Sequence, residues 1–359
     1  MPSYLETRTR IIILVAVGAS LAALLLRIGG GAGVLIFAAS AVGLAGLAAL
    51  VGEGTEQLSH RLGPKATGVL QSALGNLPEF FIGIFALRAG LLDVVRAALV
   101  GSILANTLLV LGLAFVAGGL RHGAQRFGTD QTKMISTLLV LAAAAIAIPT
   151  IATAPGGPAQ GHATELSVFV SVVLLVVFVA SVPFAVGKAS PAGSFQAVAG
   201  ERVWPPALAG ATLLAAGIGA AFVSDWFVDA LKPAMGSLGM SETFAGLVVV
   251  AIAGNAVENV VGIQAMLADK GDLAISVILN SSLQVALALV PVLVLVSLVM
   301  GGATLTLVVS PLLVAALALT AVLSALVVID GESTWLEGLA LIGLYAILAA
   351  SVWWGQPIG

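Results

Sequence analysis

Cysteine is absent from all 359 residues, which excludes disulfides, thiolate metal ligands and thiol catalysis. The three histidines, His60, His122 and His162, are too scattered to suggest a histidine metal cluster. Charge is scarce as well: 9% of residues are charged, the net charge is −3, and no cluster of Lys and Arg forms a footprint for nucleic acid. The apolar segments carry no H-E-x-x-H, no D-D-x-x-D and no Ser/His pairing, so the sequence gives no ground for an enzyme or for a cofactor. The glycines from Gly29 to Gly33 read as a loop, because no Lys-Ser/Thr of a phosphate-binding loop follows. Arg8 and Arg10 precede an apolar stretch as in a signal peptide, but a second apolar stretch follows at once, and the first is expected to be a retained helix.

What the chain has in excess is apolar residues, 60% of the total, with a mean hydropathy of +1.16. That balance describes a polytopic α-helical membrane protein, for which the lipid bilayer is the first partner. At about 20 apolar residues per crossing, spans are expected near 11–28, 32–52, 66–88, 94–117, 134–152, 165–187, 206–224, 241–268, 272–299, 304–328 and 335–354. With these eleven spans, ten of the 14 Lys and Arg fall on the side of the N-terminus, among them Arg61, Lys65, Arg121, Arg126, Lys133 and Lys270. Arg27, Arg88, Arg96 and Lys232 fall on the other. The excess predicts a cytoplasmic N-terminus.

Residues 75–106 laid on 254–285 at a constant offset of 179 match at ten of 32 positions. Matched apolar residues carry little weight in such a chain, but Asn76, Glu79, Asp93 and Ser102 also match, with Asn255, Glu258, Asp272 and Ser281. The two copies lie five spans apart, an odd number, so they are expected to cross in opposite directions. The organisation this predicts is an N-terminal helix in 1–31, a first repeat in 32–187, a cytoplasmic linker in 188–205 and a second, inverted repeat in 206–359.

Glu79 and Glu258 each stand inside an apolar span, with Asn three positions earlier and Gly four earlier. A carboxylate at membrane depth costs on the order of 2.5–3.5 kcal/mol even on lenient scales, so it is expected to face a bundle interior or cavity where a partner compensates it. The spacing puts Asn and Glu on neighbouring parts of one helix face. Gly75 and Gly254 loosen the helix, and Pro78 is expected to free the carbonyl of Leu74. Carbonyls, amide oxygens and carboxylates are hard donors, suited to Ca²⁺ with its six to eight oxygen ligands. Ser102 and Asn106 in one half, and Ser281, Ser282 and Gln284 in the other, are polar residues embedded in apolar sequence. They serve either as helix–helix hydrogen bonds or as further ligands. Glu53, Glu56, Gln57 and His60 form a polar stripe that is either a solvated helix end or a mouth that attracts cations, while Asp330, Glu332 and Glu337 read as a surface loop.

With G-N-L-P-E at 75–79, G-S-I-L-A-N at 101–106, G-N-A-V-E-N at 254–259 and S-S-L-Q at 281–284, the chain resembles the calcium/proton exchanger family of the cation/Ca²⁺ exchanger superfamily over nearly its whole length. The resemblance implies ten core helices in two inverted sets of five plus an N-terminal helix. It implies that Glu79 and Glu258 are central Ca²⁺ and proton ligands, with Asn76, Asn255, Ser102, Asn106, Ser281 and Gln284 around them. Two departures stand out. Asn259 follows Glu258 where the family pattern has His, and residues 188–205 hold only Glu201 where many members carry an acid-rich stretch. The expected activity is antiport of cytoplasmic Ca²⁺ against H⁺ by alternating access, both ions being transported substrates. The expected location is a prokaryotic inner membrane, and a homo-oligomer stays open. The rivals are a Na⁺/Ca²⁺-type exchanger, against which stand the Asn residues at 76 and 255, where sodium exchangers carry hydroxyl residues, and an exchanger of Mn²⁺.

Overall fold

The computed structural model describes residues 7–59, 74–188 and 204–354. The side chains of Ser59, Asp130, Gln131, 183–188, Val257 and Glu258 lie outside the described residues, as do positions 60–73 and 189–203, which hold His60, the start of the 66–88 span and most of the expected linker.

Twelve helices follow in chain order among the described residues. They are α1 (Thr7–Ile28), α2 (Gly33–Ser59), α3 (Leu77–Arg88), α4 (Leu92–His122), α5 (Thr129–Ala152), α6 (Ala163–Lys188), α7 (Pro206–Leu238), α8 (Glu242–Gly254), α9 (Ala256–Leu267), α10 (Gly271–Ser297), α11 (Pro311–Val327) and α12 (Trp335–Trp353). Eight of them are long and apolar enough to cross a membrane, or nine when α8 and the described part of α9, bent by 60°, count as one broken span. The chain divides into two compact units. One holds Met1–Ala89, Val182–Gly239 and Ala253–Val257; the other holds Gly90–Ser181, Met240–Ile252 and Glu258–Gly359.

In the first unit, small residues let helices approach closely, as packing in lipid requires. A Cβ added at Gly46 would stand 2.7 Å from the Cα of Ala16, which fixes α1 against α2. Along α2 and α7, Gly33 faces Pro233, Phe37 stacks on Phe227 at 4.7 Å, Leu47 meets Gly219 and Gly54 meets Leu213. Rising numbers on one helix meet falling numbers on the other, so α2 and α7 run antiparallel.

In the second unit, Gly101 of α4 lies against the backbone of Leu247 in α8, and Gly246 against that of Val94. Further along α4, Gly112 and Gly119 receive Gly338 and Trp335 of α12. At one end, β1 (Gln125–Arg126) pairs antiparallel with β2 (Glu332–Ser333), and Arg126 reaches Glu332 at 2.8 Å. Gln125 Nε2 donates to the Met266 carbonyl and to Asp269 at 3.2 Å, so three loops share that end.

Three differences from the expected spans have a visible local cause. The 304–328 span begins only at Pro311, after an extended stretch in which Leu305, Leu307 and Val309 donate their N–H groups to Ser297, Ser167 and Thr150 hydroxyls at 2.9–3.0 Å. Hydroxyls of neighbouring helices replace the missing helical acceptors, which is how non-helical backbone survives away from water. The 206–224 span continues to Leu238, because Asp225, Asp229 and Lys232 end the apolar run without ending the helix. Pro78 sits in the first turn of α3 rather than inside a continuous helix, a place where its missing N–H costs nothing.

Candidate ion site

Both Gly-Asn pairs stand at turns from which a helix starts. Gly75 and Asn76 form a turn before α3, and Asn255 forms the turn between α8 and α9. The helices that follow, α3 and α9, are each 12 residues long and start 179 residues apart. α4 and α10 start 179 apart too. Each then passes through a π-helical stretch, Ala105–Val110 in one and Val285–Leu289 in the other. Such one-residue insertions are frequent where a helix carries function. The offset first read from polar matches therefore also relates the helix starts, while the π-helical stretches begin 180 residues apart.

Glu79 falls in the first turn of α3, where the positive end of the helix dipole favours a carboxylate. It is buried, at 7% exposure. Its neighbour is the second motif: a Cβ added at Gly254 would lie 2.7 Å from Glu79 Cγ, 3.2 Å from Cδ and 3.4 Å from Oε1. Asn255, next to that glycine, is fully buried. Asn76, Glu79, Gly254 and Asn255 thus belong to one unit, and the first copy's carboxylate rests on the second copy's glycine. Glu258 is the third residue of α9; its side chain is outside the described residues.

The remaining candidate donors lie in the second unit. Asn106, fully buried, donates from Nδ2 to Ser281 Oγ at 3.0 Å, joining the π-helical stretch of α4 to α10. Ser102 lies one turn before Asn106 and is buried. Ser282 is spent on its own helix, donating to the Ile278 carbonyl at 3.2 Å. Gln284 is partly buried and immediately precedes the π-helical stretch of α10. Of the polar stripe on α2, Gln57 accepts from the Trp204 N–H at 2.9 Å and so holds the start of α7.

Sequence reasoning treated Gly254 as a loosener of the helix. Its second task, leaving room for Glu79, was not legible, since no spacing rule says which residue meets a carboxylate from another helix. Gly101 was likewise quoted only as part of a motif, yet it seats α4 on α8.

Broken apolar helices that bury a carboxylate, amides and hydroxyls define a membrane protein built to handle cations. The chain matches the sodium/calcium exchanger protein family over residues 32–187 and 204–354, and it belongs to that family, on the branch of the calcium/proton exchangers. It is 34% identical over 326 residues to the Ca²⁺/H⁺ antiporter ChaA of Bacillus subtilis, covering 88% of this chain and 91% of that one. Over 335 residues it is 33% identical to a Ca²⁺/H⁺ antiporter of Synechocystis, covering 88% and 89%. The solved structure of native YfkE superposes with a TM-score of 0.82 at 30% identity, over 95% of this chain and 99% of that one. The H⁺/Ca²⁺ exchanger CAX gives 0.75 at 16% identity, over 96% and 91%, a likeness of fold alone.

Proposed function

We propose that the chain is a secondary antiporter that expels cytoplasmic Ca²⁺ in exchange for H⁺ by alternating access. The observation that carries this reading is the buried Glu79 carboxylate seated on Gly254 at a helix break. A carboxylate held there holds a proton or a cation, and the exchange of one for the other is the antiport reaction. In this reading Glu79 and Glu258 are the two carboxylates of the site and carry protons when no cation is bound. A divalent ion neutralises both and displaces those protons. Asn76, Asn255, Ser102, Asn106, Ser281 and Gln284 supply further oxygens toward the six to eight that Ca²⁺ takes.

Eleven crossings in two inverted repeats plus an N-terminal helix make the site symmetric. The antiparallel course of α2 and α7, the first helices of the two expected repeats, supports the inversion, and the matched starts of α3 and α9 support the repeat. The shared end of loops 122–128, 266–272 and 330–334 supports the span parity, which places all three in the cytoplasm with the N-terminus. A bacterial inner membrane suits the bacterial relatives. The competing cargo is Mn²⁺, which accepts the same hard donors.

The test is uptake of radioactive Ca²⁺ by everted vesicles under an imposed pH gradient, with Na⁺ and K⁺ gradients as controls. Uptake driven by the pH gradient alone is expected, and Glu79→Gln abolishes it, because an amide keeps an oxygen but carries neither charge nor exchangeable acid proton. Transport that requires a Na⁺ gradient and ignores pH overturns the proposal. Competition by Mn²⁺ at equal concentrations measures the rival cargo.

A further inference from the structure

On the first unit, α2, α3 and α7 enclose a groove of about 810 Å³ whose walls include Phe81 and Phe85 of α3 and Leu214, Ile218 and Phe222 of α7. The walls are apolar almost throughout, and Gly210 and Gly217 give the groove its depth by presenting no side chain from α7. Its two charged residues are Arg88 and Asp225. From Gly210 to Asp225 the groove runs about 22 Å along the helix, enough for one acyl chain to traverse a leaflet of a hydrocarbon core about 30 Å thick. Leu214 is 67% exposed and Phe222 61%, so this side of α7 faces the bilayer.

The charges at the mouth select a headgroup. Arg88, at the last turn of α3, makes no ion pair among the described residues; its guanidinium lies 5.9 Å from the Phe85 ring centroid. Asp225 is only loosely engaged, 4.0 Å from Arg27, whose closer partner is Asp229 at 2.8 Å. Lys232 reaches toward the Ala89 carbonyl at 3.5 Å instead. One cation and one anion thus stand at the same mouth, each with capacity left. We propose that this groove is a site for one phospholipid with a zwitterionic, N–H-bearing headgroup, a phosphatidylethanolamine. Its phosphate meets the fork of Arg88, its ammonium meets Asp225, and one acyl chain lies along Phe85, Phe81, Phe222 and Leu214.

In a background with the five native tryptophans replaced by phenylalanine, a tryptophan placed at Leu214 reports the groove, and one at Leu319, a 71% exposed position on α11, reports bulk lipid. Each variant is reconstituted into phosphatidylglycerol vesicles containing one-fifth phosphatidylethanolamine with brominated acyl chains, and bromine quenching is read. Quenching at position 214 several-fold above that at 319 is expected, falling to the bulk level when Arg88→Glu is added. Native mass spectrometry of the unmodified protein is expected to retain one phosphatidylethanolamine per chain, lost in Arg88→Glu and weakened in Asp225→Asn. Equal quenching at both positions, or retention that ignores both substitutions, overturns the site. Retention of phosphatidylglycerol or detergent in its place overturns the headgroup assignment. A tryptophan at Leu214 that impairs folding leaves the mass measurement to decide, since Arg88 and Asp225 lie at the exposed mouth.

Discussion

Substituting alanine for Gly254 tests whether the two motif copies share one site. The new Cβ would stand 2.7 Å from Glu79 Cγ. Carbon atoms prefer about 3.5–4.0 Å, so the Glu79 side chain must retreat by roughly 1 Å. Ca²⁺–O distances span only about 2.3–2.6 Å. Overpacking of this kind costs about 1–3 kcal/mol; where it falls on the ion-loaded state, that is a 5- to 150-fold loss of apparent Ca²⁺ affinity. The assay is initial-rate Ca²⁺ uptake in proteoliposomes over a range of Ca²⁺ concentrations, with Tm measured in parallel. Gly46→Ala is the matched control, because its Cβ would be equally close, 2.7 Å, to Ala16 Cα and far along the chain from either motif. It is expected to lower Tm without raising the Ca²⁺ concentration needed for half-maximal uptake. Wild-type Ca²⁺ dependence in Gly254→Ala would refute the idea that Glu79 in its present position binds the ion.

Acidifying the side from which Ca²⁺ loads is expected to inhibit uptake competitively, raising the apparent KM and leaving the maximal rate, as measured by varying Ca²⁺ at fixed pH. Asn106→Leu removes the buried hydrogen bond to Ser281 and is expected to cost about 0.5–1.5 kcal/mol of stability, read as a lower Tm, whereas Asn106→Ser restores part of it. Single cysteines are clean reporters in a chain that has none: Ala124→Cys and Lys270→Cys are expected to react with an impermeant reagent only from the cytoplasm, and Ala154→Cys only from outside. Opposite sidedness of Ala124→Cys and Lys270→Cys would contradict the shared end that Gln125 makes with Asp269.

Most helices were legible because hydropathy measures the same thing as a bilayer, and the helices found inside the described residues fall where apolar runs fall. The failures have local causes. Hydropathy joined residues 304–310 to the helix after them, although Ser310 and Pro311 spell a helix start, with Ser310 accepting from the Leu313 N–H. Leu305 and Leu307 are buried while Thr306 between them turns to Arg96, the alternation of an extended strand rather than a helix. In α7 the opposite error arose: charge at Asp225 marks the end of the apolar run, and helix propensity carries the backbone on to Leu238.

The site was legible to the extent that its chemistry is costly. Buried carboxylates and amides are improbable in so apolar a chain, and that improbability singled out Glu79, Asn106 and their partners before any geometry was known. Symmetry by itself would have erred. The offset of 179 that relates α3 to α9 sends Asn106 to Val285, which has no polar atom on its side chain, and the second copy's amide is Gln284. Gln284 stands one residue earlier on its helix, with a side chain one methylene longer, and its π-helical stretch begins at Val285, one residue later than the offset requires. Helix starts are set by Gly-Asn breaks that both copies retain, so they keep the repeat. Donor positions depend on where a π turn inserts its extra residue and on side-chain reach, and these vary independently in each half. The sequence offset therefore marks where these helices start, while the candidate donors are found only by asking which residues are expensive to bury.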